Sequence, residues 1–301
     1  MRTAFYIIAF IVLSLGAAFT IRSADIDKSF LENHEKKDKN KRKKDDKAEQ
    51  VSQGVKILKK HEVPPVLREI SAIVYLDNNR FACVQDEMGI IYFYNTSVGK
   101  IEKEIPFAGA GDYEGLAIAG QTAYVLRSDG QIIEVKNYNS ANPAIRSFKT
   151  HLTAENNTEG MCFDPANNRL LIAIKGNEQQ TEAYKGIYSF SLPNYKMDER
   201  PVYKIDLNNP LFANVKTKKS GSEMQPSAIA IHPITKDIYI TEATNPKLLI
   251  LDPKGNLKDL KTLSSKEFYK PEGISFSPEG NMYISNEGKK DPGNILEVTL
   301  Q

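Results

Sequence analysis

Asp112-Tyr113-Glu114-Gly115-Leu116-Ala117-Ile118 decides how this chain reads, because variants of it recur. Glu69-Ile70-Ser71-Ala72-Ile73 precedes it. Glu159-Gly160-Met161-Cys162-Phe163, Pro226-Ser227-Ala228-Ile229-Ala230 and Glu272-Gly273-Ile274-Ser275-Phe276 follow. The start points 69, 114, 159, 226 and 272 lie 45, 45, 67 and 46 residues apart. A period of about 45 residues is the size of one four-stranded propeller blade.

Each copy opens a series of short β-branched and aromatic runs separated by Gly, Pro, Asn and Asp turns. In the first, Ala72-Ile73-Val74-Tyr75, Arg80-Phe81-Ala82-Cys83-Val84, Gly89 to Tyr94 and Lys100 to Ile105 read as four strands around the turn Asp77-Asn78-Asn79. The second repeat has its outer strand near Ile145-Arg146-Ser147-Phe148, and the third ends on Pro201 to Ile205. The fifth repeat stops after three strands, at Asn294 to Val298, while Gly54-Val55-Lys56-Ile57-Leu58 is a strand without a blade. Pairing the two closes the ring and hides a bare sheet edge. The extra length before residue 226 is too short for another blade, so Leu207 to Glu223 reads as an inserted loop. The expected fold is an all-β, five-bladed propeller over residues 53–301 closed by an N-terminal strand, with six blades the alternative.

Ahead of the repeats, Met1-Arg2-Thr3 leads into an uncharged, mostly apolar run from Ala4 to Ile21. That length suits a membrane span or a secretory signal. Residues 1–22 are therefore expected to be a signal peptide or anchor, and the domain to be exported. Residues 23–52 carry a mixed charge run, Lys36 to Lys47, with almost no apolar residues. Such a tract cannot repay its ordering entropy and reads as a disordered linker. A net charge of +2 gives no case for nucleic acid. Two cysteines, Cys83 and Cys162, make no disulfide framework and read as buried thiols.

In an antiparallel blade the start of the first strand and the end of the second share one end of the sheet. In a propeller the innermost strands line the channel, so these positions converge on one mouth. Strand starts supply Glu69, Asp112, Glu114, Glu159, Gln225 and Glu272. Strand ends supply Gln85, Asp86, Glu87, Arg127, Asp129, Lys175, Glu242, Asn286 and Glu287. Crowded carboxylates repel and need neutralising. Ca²⁺, which takes six to eight oxygen ligands, would do so. In this reading Glu69, Glu114, Glu159, Glu272, Asn286 and Glu287 are the metal candidates. Gln85, Asp86, Glu87, Arg127, Asp129, Lys175 and Glu242 are the candidates for a polar ligand. The competing reading makes the repeated glutamates fasteners between blades. Ser227, where the glutamate is missing, breaks the ring on one side.

No G-x-S-x-G, phosphate loop or H-E-x-x-H occurs. Of the four histidines, His34 falls in the linker, His61 near the first strand, His151 between blades and His232 in a turn at the opposite face. No nucleophile, base and orienter set assembles from them.

Arg68 to Ile73 with Gln85-Asp86-Glu87, Gly111-Asp112-Tyr113-Glu114-Gly115 and Arg127-Ser128-Asp129-Gly130-Gln131-Ile132 resembles the SdiA-regulated (YjiK-like) family. Asn157-Thr158-Glu159-Gly160, Gln225 to Ile229 and Pro271-Glu272-Gly273 match its later repeats, so the resemblance runs from Lys56 to the C-terminus. It implies an exported bacterial β-propeller, often membrane-anchored, on the periplasmic side, with no established activity and no DNA binding. The blades also look like those of calcium-dependent lactonases of the gluconolactonase type, which use a channel-mouth glutamate with Asn and Asp ligands. Here only Asn286 offers a clear amide. The expected function is a monomeric binding module for Ca²⁺, a polar ligand or a protein partner. The alternative is a metal-dependent lactonase or esterase in which Glu114, Glu159 and Glu272 hold the ion.

Overall fold

The computed structural model describes residues 52, 54–178, 181–215, 217 and 221–301. The apolar segment and the charged tract up to residue 51 lie outside the described residues. No helix among the described residues is long and apolar enough to cross a membrane.

Among the described residues, twenty-one strands form five antiparallel sheets. Blade one is β2 (Ile70–Tyr75), β3 (Arg80–Gln85), β4 (Met88–Asn95) and β5 (Lys100–Ala110). Blade two is β6 (Tyr113–Ala119), β7 (Thr122–Arg127), β8 (Ile132–Lys136) and β9 (Ala144–Phe148). Blade three holds β10 (Thr158–Asp164), β11 (Arg169–Ile174) and β12 (Tyr184–Ser191). Its outer edge is split between β13 (Lys196–Met197) and β14 (Tyr203–Asp206). Blade four is β15 (Pro226–Ile231), β16 (Ile238–Glu242), β17 (Lys247–Leu251) and β18 (Leu257–Thr262). Blade five is β19 (Pro271–Phe276), β20 (Met282–Asn286) and β21 (Asn294–Leu300), closed by β1 (Val55–Glu62) from the start of the propeller. β1 runs antiparallel to β21, from Val55 opposite Leu300 to Glu62 opposite Asn294. The expected ring of five blades with a terminal clasp is the observed one.

The first strands touch in the circular order β2, β6, β10, β15, β19 and back to β2. Each blade packs both faces, so its inner strands are buried along most of their length, whereas the outer strands β1, β5 and β9 are largely exposed. In β3, Ala82 and Val84 face blade two, while Phe81 and Cys83 face blade five. One apolar cluster fills each of the five blade interfaces. The Asp77-Asn78-Asn79 turn holds Asn78 and Asn79 at positive φ, 43° and 64°, which the short amide side chains tolerate and a tight hairpin requires. Cys83 and Cys162 are both free thiols.

Candidate functional site

Each first strand carries a bulge at one position. The register slips at Ile70/Ala72, Tyr113/Gly115, Thr158/Gly160, Pro226/Ala228 and Pro271/Gly273. The extra residues are Ser71, Glu114, Glu159, Ser227 and Glu272. A bulge re-aims a side chain and leaves it out of the regular alternation. The structural repeat therefore matches Ser71, not Glu69, to the other bulged residues. Glu69 stands two residues earlier and is exposed.

The two serines and the three glutamates do different work. Ser71 Oγ donates to the Tyr113 carbonyl and Ser227 Oγ to the Pro271 carbonyl, both at 2.6 Å, each clasping the next blade. Thr158 Oγ1 likewise donates to the Arg127 carbonyl at 2.6 Å. After each bulged glutamate comes a glycine, and the neighbouring blade explains it. A Cβ on Gly160 would lie 3.0 Å from the Ala228 carbonyl carbon, and one on Gly115 2.8 Å from Met161 Cβ.

The glutamates meet at the upper mouth, the end at which the first strands begin. Glu159 Oε1 accepts from Lys175 Nζ at 2.7 Å and from Asn157 Nδ2 at 2.9 Å. Glu159 and Glu272 are only 3% and 6% exposed. Their Oε2 atoms, and Oδ1 of the fully buried Asn286, have no hydrogen-bond partner among the described residues. Burial, then the charges of Glu159 and Glu272, push the Glu114 carboxyl up to about 9. Burial and Glu159 push Glu272 up to about 8. Burial also raises Glu159, against the pull of Lys175. Burial alone would lower Lys175, but Glu159, Glu272 and Glu114 hold its proton more tightly than usual.

Outside this ring the expected residues separate into groups. Asp86 faces the charges of Glu69, Glu287, Glu87 and Asp112 on the rim of blades five, one and two. Burial and those charges raise its carboxyl to about 6, and its Oδ1 is also unpartnered. Glu287 is paired with Lys270 at 2.6 Å. Gln85 Oε1 accepts from the amides of Glu87 and Met88, which makes it a turn residue. Arg127 pairs with Asp129 at 2.7 Å and donates to Gln131, a local arrangement on blade two. Glu242 lies in a separate buried pair, its Oε2 accepting from Lys247 Nζ at 2.6 Å and from Gln225 N at 3.1 Å.

Lys247, Lys185 and Lys270 were not legible as site residues. Lys185 is 2% exposed and its Nζ donates to the Gly176 carbonyl and to Asn177 Oδ1. For Lys247 a signal exists: the short turn between β16 and β17 sets it directly across from Glu242. His232 is a turn residue at the lower end, its Nδ1 accepting from the amides of Ile234 and Thr235. His151 is exposed and lies edge-on to Tyr188, 5.5 Å between ring centres. Among the described residues, no group of three or more His, Cys, Asp or Glu side chains has the geometry to hold a metal ion.

The fold is similar to solved structures of low identity. A Myxococcus xanthus glutaminyl cyclase superposes with a TM-score of 0.55 at 15% identity, covering 82% of this chain and 96% of that one. The PQQ-bound aldose sugar dehydrogenase of Streptomyces coelicolor gives 0.51 at 12% identity, covering 82% and 98%. At such identity the likeness extends to the fold alone. No curated protein matches the sequence significantly. The family model for SdiA-regulated proteins matches residues 48–289, a span that includes all five bulged positions, and the chain belongs to the SdiA-regulated family.

Proposed function

We propose that this chain is an exported, membrane-tethered binding propeller whose upper mouth takes a cation, either a divalent ion such as Ca²⁺ or a polar ligand carrying positive charge. The apolar run from Ala4 to Ile21 supports export and tethering. One observation carries the binding site: Glu159 and Glu272, almost wholly buried, each keep a carboxylate oxygen that nothing among the described residues satisfies. Buried acceptors without donors cost free energy, and a bound cation removes that cost. Lys175 faces Glu114, Glu159 and Glu272, and Lys270 acts on Glu272 from the rim, two cations against three carboxyls.

Carboxylates and an amide oxygen are the donors that Ca²⁺ prefers. Glu114, Glu159, Glu272 and Asn286 would hold it, and Lys175 would first have to withdraw. Thermal unfolding of the chain in EDTA and then in excess Ca²⁺ tests this version. A ligand specific to the native state adds about 2.7 kcal/mol at a hundredfold excess over Kd. A rise that disappears in Glu114→Gln supports a metal in the ring, and an unmoved midpoint removes Ca²⁺ from the proposal. The hydrolase alternative would have Glu114, Glu159 and Glu272 hold an ion that activates a water for attack on an ester or lactone. It requires ester or lactone turnover that Glu114→Gln abolishes.

A further inference from the structure

We infer that the upper mouth recognises a primary ammonium group, and that its ligand is a linear aliphatic diamine or polyamine. This inference rests on the reading of the mouth as a cation site and names the chemistry of the cation.

The first observation is the seat of Lys175. Its ammonium lies 2.7 Å from Glu159 Oε1, within the field of Glu114 and Glu272. The ring thus already accommodates an alkylammonium, supplied by the chain itself. The second is the set of acceptors left over. Glu159 Oε2, Glu272 Oε2 and Asn286 Oδ1 are buried and unpartnered among the described residues. An ammonium carries three N–H donors and no acceptor. A quaternary ammonium has no N–H to offer and is selected by aromatic faces. None of Glu114, Glu159, Lys175, Glu272 or Asn286 is aromatic. Ca²⁺ needs six to eight oxygens, and no group of three acidic, His or Cys side chains among the described residues is arranged for a metal.

The third observation sets the number of charges. A second acidic group stands on the rim, where Asp86 faces Glu69, Glu287, Glu87 and Asp112, with its Oδ1 unpartnered. The Tyr113 amide, next to Glu114, donates to the Asp86 carbonyl at 2.9 Å, and Glu287 follows Asn286 in the chain, so the rim adjoins the ring. One ammonium in the ring and a second at the rim describe a diamine, with the carbon chain between.

The test is calorimetric titration of the full-length chain at fixed ionic strength. The probes are 1,4-diaminobutane, spermidine, the fully N-methylated form of the diamine, and CaCl2. The expected result is binding of both amines, with the methylated form at least about tenfold weaker, the value of one charge-assisted hydrogen bond. Glu272→Gln is expected to weaken the amines by a similar factor, its fold checked by a melting transition that stays cooperative. Equal binding of the methylated form overturns the inference, because charge alone would then be read. Ca²⁺ binding without amine binding also overturns it and leaves the cation site standing. Binding of neither overturns both.

Discussion

At the upper mouth, β6, β10 and β19 present Glu114, Glu159 and Glu272. Near their other ends the same strands carry Ile118, Phe163 and Phe276. With Tyr75 and Ile231 these line a lower cavity of about 900 Å³. The lower mouth is satisfied by its own contacts. Phe276 meets Tyr239 edge-on at 5.0 Å and His232 at 4.8 Å, and Tyr75 stacks on Tyr283 at 5.4 Å. The upper mouth is not satisfied. It buries carboxylates with too few donors and holds them at raised proton affinity. The two mouths thus differ in kind: the upper breaks the rule that buried polar groups are paired, and the lower keeps to apolar and aromatic packing.

The largest effect is expected from breaking charge on the upper side. In Lys247→Met the Glu242 carboxylate, 1% exposed, loses its partner. Removing one member of a buried pair costs about 3–5 kcal/mol. Urea unfolding near neutral pH measures it, and a loss below about 1 kcal/mol would mean that Glu242 simply takes up a proton. A smaller effect is expected below. Phe276 is only partly buried, so Phe276→Ala should cost about 2 kcal/mol, under the range for fully buried rings. That loss should be the same at pH 7.5 and pH 9, where His232, whose proton affinity burial lowers, stays neutral beside Phe276. A loss that changed with pH would tie the lower mouth to the titrating ring and erase the contrast.

Much of this architecture was legible beforehand. Turn residues and apolar runs mark the strands, and the orphan strand at Gly54 to Leu58 announces the clasp that β1 makes with β21. Glu114, Glu159 and Glu272 were legible as a set because glycine follows each, and the neighbouring blade requires that glycine. Glu69 misled, because Glu69-Ile70-Ser71-Ala72-Ile73 imitates Glu114-Gly115-Leu116-Ala117-Ile118 while standing two residues ahead of the equivalent place in the strand. The residue that occupies the bulge is Ser71. The buried lysines were hidden for another reason. A lysine opening a strand reads as solvated, and only the register of β17 against β16 reveals that Lys247 faces Glu242.

The most direct test of the central claim, that three glutamates share one buried ring, is stability against pH without added cation. Folding raises the proton affinity of Glu114 and Glu272, so the native state holds more protons than the unfolded chain between about pH 4.5 and pH 9. Stability must then fall as pH rises through that window, by about 1.4 kcal/mol per pH unit for each extra proton held. Glu114→Gln removes one such proton and the cost of ionising Glu114 beside Glu159 and Glu272. The predicted result is a shallower fall and a variant more stable than the parent at pH 8. Parallel curves, or a variant less stable at pH 8, would contradict the ring.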